Sequence, residues 1–160
     1  MKRLLVLLAL AFCVVAVASA QQRAVGARFG YGLELSYQHY VKPDVFIEAD
    51  FGLDFLGKGG FKATAIYDLE IGHPDWTPQG EWMVYVGPGA ALGVVCNSRN
   101  NPSGFMFGIC GQLGIEYTVP FPLAVSLDVR PMLGYHFGDR EVYSGGLYGL
   151  MPTLGARYRF

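Results

Sequence analysis

Apolar and polar side chains alternate with a period of two along nearly all of the chain after residue 20, the spacing of a β-strand with two unlike faces. Val45, Ile47, Ala49, Phe51, Leu53 and Phe55 alternate with Phe46, Glu48, Asp50, Gly52 and Asp54. Phe61, Ala63, Ala65, Tyr67, Leu69 and Ile71 alternate with Lys62, Thr64, Ile66, Asp68 and Glu70. Leu123, Val125, Leu127 and Val129 alternate with Ala124, Ser126, Asp128 and Arg130. No helical period competes after residue 20. The chain reads as all-β, and about 140 residues after the leader are the length of one domain.

The two ends add a destination. Met1-Lys2-Arg3 is a basic start, residues 4–17 are an unbroken apolar run, and Ala18-Ser19-Ala20 is a small-residue cleavage site. Residues 1–20 are therefore expected to be a signal peptide, with residues 21–160 as the exported domain. A lipoprotein reading of Cys13 fails because bulky Phe12 stands where a lipobox needs a small residue. At the other end Leu154, Ala156, Tyr158 and Phe160 share one strand face, and Thr153, Gly155, Arg157 and Arg159 share the other. An apolar terminal strand is an open pairing edge that soluble proteins avoid. This ending, with Gly155, Tyr158 and Phe160 at its marked positions, resembles the signal that closes outer-membrane β-barrels of Gram-negative bacteria and that their assembly machinery recognises.

Naive counting of the alternating runs gives seven strands, whereas a single-chain bacterial barrel has an even number. The Gly30-Tyr31-Gly32 string supplies the missing hairpin, through glycines that adopt positive φ. Eight strands then span 23–30, 33–41, 45–56, 61–71, 81–96, 105–118, 123–136 and 146–160. Short connections at 42–44 and 119–122 fall on the periplasmic side, and loops 97–104 and 137–145 on the outer side. The connection at 72–80 is longer than a periplasmic turn should be. Pro88, Pro131 and Pro152 lie inside predicted strands, where a closed barrel has no free edge for a missing N–H.

Alternation alone does not say which face points inward, since a lipocalin-type soluble barrel also has eight strands but buries its apolar face. Glycines and aromatics decide it. Gly26, Gly52, Gly87, Gly89, Gly93, Gly108, Gly114, Gly134, Gly149 and Gly155 share the charged face. An eight-stranded interior is barely wide enough for side chains, so glycine belongs there and not on a solvated surface. Tyr37, Phe55, Tyr67, Trp82, Phe105, Tyr117, Tyr135, Tyr148, Tyr158 and Phe160 crowd the apolar face near strand ends, as interfacial girdles do. The expected fold is an eight-stranded antiparallel up-and-down transmembrane β-barrel.

Its interior then carries Arg28, Lys62, Arg130 and Arg157 together with Glu34, Glu48, Asp50, Asp68, Glu116 and Asp128. These charges are expected to fill the lumen as a network of ion pairs, because an unpaired buried charge is costly. The alternatives are an ion-conducting lumen and a catalytic one. Lys2 and Arg3 leave with the leader, so the exported domain has ten basic side chains against thirteen acidic ones. That balance excludes a nucleic-acid partner, which calls for a basic surface.

Other chemistry is sparse. His39, His73 and His136 are scattered and the cysteines lack a CxxC pair, so no metal spacing appears. No glycine run lies in a strand–helix phosphate-binding context, and no cofactor is expected. Ser126 and His136 share a face but lie about 33 Å apart along a strand. Only His136, Asp139 and Ser144 can meet at the outer rim, through one loop. Cys96 and Cys110 remain after processing in an oxidising compartment, and they flank the 97–104 loop. A disulfide between them is a candidate, although simple alternation turns Cys96 outward and Cys110 inward.

The exported domain resembles the small outer-membrane β-barrel domain family of Gram-negative envelopes. The resemblance rests on the hairpin at 30–32, the 82–93 segment with its Gly-Pro-Gly, the Gln112-Leu113-Gly114-Ile115-Glu116-Tyr117 string, and the terminal Arg157-Tyr158-Arg159-Phe160. It implies an integral outer-membrane protein but does not choose its activity, since such families include adhesins, envelope-stability proteins and lipid-modifying enzymes; a structural or surface-interaction role without enzymatic activity is the leading expectation. Its partners would be outer-membrane lipid and, during biogenesis, the barrel-assembly machinery, with a monomer as the expected state and the surface ligand unspecified. A narrow channel and a lipid A-modifying enzyme are the alternatives the same resemblance allows.

Overall fold

The computed structural model describes residues 22–30, 32–54, 59–95, 103–137, 141–143 and 152–160. The alternating runs form β1 (Arg23–Phe29), β2 (Gly32–Lys42), β3 (Val45–Asp54), β4 (Gly60–Gly72), β5 (Glu81–Val95) and β6 (Gly104–Thr118). They continue as β7 (Leu123–Val129), β8 (Met132–His136), β9 (Glu141–Tyr143) and β10 (Thr153–Arg159). All pairings are antiparallel, and the β1–β10 and β5–β6 ladders close the sheet on itself. The leader and its cleavage site lie outside the described residues.

Ten segments make eight staves. β7 and β8 meet β6 in one continuous register, with Leu113 opposite Val129 and Cys110 opposite Met132, so they are a single stave broken at Arg130-Pro131. β10 pairs with β7 and β9 with β8, which makes them parts of the eighth stave. The sequence starts that stave at residue 146, but the structure starts it with β9, inside the expected 137–145 loop. The reason is that β8 would otherwise leave a row of backbone groups unpaired on its far side, a cost that a bilayer makes severe.

The prolines sit where the ladders give way. Pro131 occupies the β7–β8 break, and its carbonyl still accepts the Gly111 N–H at 3.0 Å. Pro152 immediately precedes β10, a position where no ladder donor is required. Pro88 lies in β5 where the β4–β5 ladder passes from Ile66–Gly89 to Leu69–Val86 without the intervening pairs. The first hairpin lies where the sequence puts it, but for a different reason. Gly30 has no left-handed backbone; a Cβ there would lie 2.5 Å from Thr153 Oγ1, so close approach of β10 is what demands glycine.

The long 73–80 connection is a strap folded onto the outside wall. Trp82 Nε1 donates to Thr77 Oγ1 at 3.0 Å, Tyr117 Oη donates to the Gln79 carbonyl at 3.1 Å, and Trp76 packs edge-on against Trp82 at 5.2 Å. Trp82 in turn lies 4.6 Å from the Tyr117 ring. The extra residues thus build one section of an aromatic band rather than a plain turn.

The two faces separate as the period requires. Arg28, Glu48, Asp50, Asp68, Glu116, Asp128 and Arg157 are buried inside, while Leu35, Phe51, Ile109, Leu113, Leu127 and Leu154 are exposed outside. Aromatics mark both rims. Phe105, Tyr135 and Phe137 cluster at the outer one, and Trp76, Trp82, Tyr117, Tyr158 and Phe160 at the inner one. Phe55 and Tyr148, expected in these bands, lie outside the described residues. Water would reject so extensive an apolar surface, and a bilayer matches it.

Replacing outward Leu127 with Arg should cost about 2–4 kcal/mol, the penalty for a midplane cation. Asp44→Arg, in the exposed β2–β3 turn, should be nearly neutral. The heated-versus-unheated mobility difference after folding into vesicles reads both; equal tolerance would reverse the assignment of faces.

Candidate functional site

The lumen is built by residues of like parity on successive strands, and it is stratified. At the periplasmic end Tyr40, Phe46 and Tyr85 form a buried aromatic layer together with Met83, with Phe46 5.2 Å from Tyr40 and 5.5 Å from Tyr85. In the outer half Ile66, Ala91, Val95, Met106, Cys110 and Met132 form a second apolar layer. The charged side chains lie at the centre.

Glu48 is the hub. Its carboxylate, fully buried on β3, meets Arg130 at 2.7 Å, Arg157 at 2.8 Å and Arg28 at 3.4 Å. Gln38 Nε2 and Gln112 Nε2 also donate to it, at 3.1 and 3.4 Å. Each arginine then reaches outward to further acceptors. Arg130 donates to Asp50 at 2.7 Å and to Thr64 Oγ1 at 3.0 Å. Arg157 donates to Ser36 Oγ at 3.0 Å, to Ser126 Oγ at 2.8 Å and to Glu116 at 3.2 Å. Arg28 binds Asp50 at 3.0 Å, Glu34 at 3.2 Å and the Asp128 carboxylate.

Two arms lead to the ends. Lys62 meets Glu34 at 2.9 Å on the outer side. Arg159 meets Glu116 at 2.9 Å and donates to Tyr40 Oη at 3.1 Å on the periplasmic side, where Tyr40 donates on to Met83 Sδ. Space for this network depends on glycine: a Cβ at Gly114 would overlap the Tyr85 ring, whose hydroxyl donates to Asp128 at 3.3 Å.

Nine of the ten charges singled out in the sequence are thus brought together: Arg28, Glu34, Glu48, Asp50, Lys62, Glu116, Asp128, Arg130 and Arg157. The tenth, Asp68, is buried on the same face, yet neither of its oxygens has a hydrogen-bond partner among the described residues. Sequence reasoning about charge passed over Ser36, Gln38, Thr64, Gln112 and Ser126, which share the inward parity and complete the network. Parity was the signal that would have found them.

The remaining candidates are dispersed. His39 stacks on Tyr37 at 6.4 Å, and His73 in the strap pairs with Glu70 at 3.0 Å. His136 is buried in the outer half of the lumen, while Asp139 and Ser144 lie outside the described residues. Cys110 is a free, buried thiol facing the lumen; Cys96 lies outside the described residues. Gly155 faces inward beside Ser126 and Arg157, and Tyr158 and Phe160 face outward with their rings 6.4 Å apart.

At the periplasmic mouth Tyr40, Glu70, His73, Glu81, Met83 and Arg159 help to line a cavity of about 190 Å³. A neighbouring cavity of about 290 Å³ beneath the strap shares His73 and Glu81 with it. No group of three His, Cys, Asp or Glu side chains among the described residues is placed to hold a metal ion.

Glu48→Gln should destabilise the folded barrel by about 3–5 kcal/mol, because it leaves three buried guanidiniums short of their shared counter-charge. Lys62→Met, at the outer arm, should cost clearly less, because Glu34 keeps Arg28 at 3.2 Å and Arg130 at 3.7 Å as counter-charges. Reversible urea unfolding in vesicles measures both; similar small losses would show that the hub is not a stabilising unit.

No family model and no curated protein matches the chain. Among solved structures it is similar to the N-terminal β-barrel domain of Pseudomonas aeruginosa OprF, with a TM-score of 0.56 and 18% identity over 88% of this chain and 96% of that one. A major outer membrane protein from Thermus thermophilus matches with a TM-score of 0.44 and 16% identity, over 89% of this chain and all of the other. The OprF likeness extends over nearly the whole of both chains and agrees with the stave count, the closure and the outward apolar belt. The chain has the fold of an eight-stranded outer-membrane β-barrel.

Proposed function

We propose that this protein is an integral outer-membrane barrel whose role is structural or surface-interacting rather than enzymatic, and whose lumen does not conduct solutes. The carrying observation is the convergence of Arg28, Arg130 and Arg157 on Glu48 across the centre of the lumen. Side chains bound to several staves at once cannot swing aside singly, and buried apolar layers lie on either side of them along the lumen. The similarity of fold to a barrel domain of an outer-membrane protein supports the location. Fold alone does not choose a function, so the reading rests on the filled lumen.

Reconstituted in planar bilayers, the protein should show no steady conductance above background. Large, reproducible openings would overturn the closed-lumen reading and favour a channel.

The same proposal gives the C-terminal strand two separable roles. Tyr158 and Phe160 belong to the inner aromatic band, and with Gly155 they would also form the segment read by the assembly machinery. Deleting Phe160 should lower outer-membrane levels in cells strongly. Refolding in detergent should suffer less, since one interfacial aromatic contributes about 1.5–3 kcal/mol of burial. Normal levels in cells after the deletion would remove the recognition role.

A further inference from the structure

The outward wall of the barrel concentrates its basic side chains at one place. Among the described strand residues that face outward they are Arg23 on β1 and His39 on β2, and no acidic side chain joins them. Lys42 lies past the β-bulge at the periplasmic end of β2. Arg23 and His39 are direct cross-strand partners. Arg23 exchanges both backbone hydrogen bonds with Phe160, at 3.1 and 2.8 Å. Its pairing with His39 is therefore the non-hydrogen-bonded kind, in which Cα atoms are about 4.5 Å apart and side chains stand closest. One step further into the belt, Val25 stands between Tyr37 and Tyr158. The His39 ring stacks on Tyr37 at 6.4 Å with 13° between the planes, and its Nδ1 has no hydrogen-bond partner among the described residues.

We infer that Arg23 and His39 form a headgroup site for an anionic glycerophospholipid of the periplasmic leaflet. Both stand at the periplasmic end of their strands, level with the Tyr158 and Phe160 band, which is the depth at which a lipid presents its phosphate. A guanidinium offers two parallel N–H donors to phosphate oxygens, a fit that a point-charge ammonium lacks. The His39 ring adds an N–H from the facing strand. Val25, Tyr37 and Tyr158 then lie along the first part of the acyl chains, and this apolar contact selects a lipid over free phosphate. The long Arg23 stem covers apolar wall while its head reaches the polar layer. The site rests on the membrane-barrel reading proposed above and adds to it a lipid class and two ligand residues.

The test titrates the folded protein, in a neutral detergent, with phosphatidylglycerol, with phosphatidylcholine of the same acyl chains, and with inorganic phosphate. Native mass spectrometry should show phosphatidylglycerol bound in preference to phosphatidylcholine, and no retained phosphate. One basic side chain beside an anionic headgroup is worth about fivefold in binding, so Arg23→Gln should weaken phosphatidylglycerol binding by about that factor. The double variant Arg23→Gln with His39→Gln should bind the two lipids alike. Lys42→Gln, which removes the same charge from the nearby turn, should bind as the wild type does. An unchanged preference in the folded double variant would overturn the site. So would an equal loss in Lys42→Gln, which would mean diffuse attraction, or phosphate retained as tightly as lipid. The heat-dependent mobility shift reports folding separately: a folded barrel without lipid preference sinks the site alone, whereas a chain that never folds into vesicles sinks the membrane reading with it.

Discussion

One carboxylate shared by three guanidiniums sets the terms for the rest of this molecule. Burying Glu48, Arg28, Arg130 and Arg157 in a space too narrow for bulk water is tolerable only if every charge finds partners, and the partners come from strands all around the barrel. Ser36 and Gln38 arrive from β2, Thr64 from β4, Gln112 and Glu116 from β6, and Ser126 and Asp128 from β7. The centre therefore fixes stave register from within. A slip of one residue on any of these strands would carry its polar groups into the lipid and take a partner from an arginine.

The outer surface follows from the same constraint. Since the charged face is turned inward, the alternate positions must be apolar and must meet something other than water. Leucine, valine and phenylalanine cover the belt, and aromatic residues gather at its two rims. The strap at 73–80 extends this logic to a connection. Its backbone is tied to Trp82 and Tyr117, so a segment too long for a turn adds Trp76 to the inner rim instead of hanging free. The prolines show the limit of the ladder. Each falls at a break, a gap or a strand start, where the sheet has already given up a hydrogen bond.

Much of this was legible in the sequence, and the reason is the strict two-residue period. Parity alone assigned Glu48, Asp50, Asp128 and Leu127 to their faces, and the glycines at Gly52, Gly114 and Gly155 showed which face was crowded. The start of the eighth stave was not legible: Glu141, Val142 and Tyr143 have no long alternating run of their own, and only the need to pair β8 recruits them. Nor was the hub. Sequence gives the sign and face of each charge, but the height at which Arg28, Arg130 and Arg157 meet depends on strand stagger and side-chain length. Asp68 shows this well, since it shares face and sign with Glu48 and still lies apart from the network.

The central claim is that Glu48 and the arginines form one energetic unit. A double-mutant cycle between Glu48→Gln and Arg157→Met, read as unfolding free energy in vesicles, tests it most directly. The account predicts that the double variant is clearly more stable than the sum of the two single losses implies, because removing both charges relieves the uncompensated one. Additive losses would mean that the two residues do not support each other, and would contradict the interior described here.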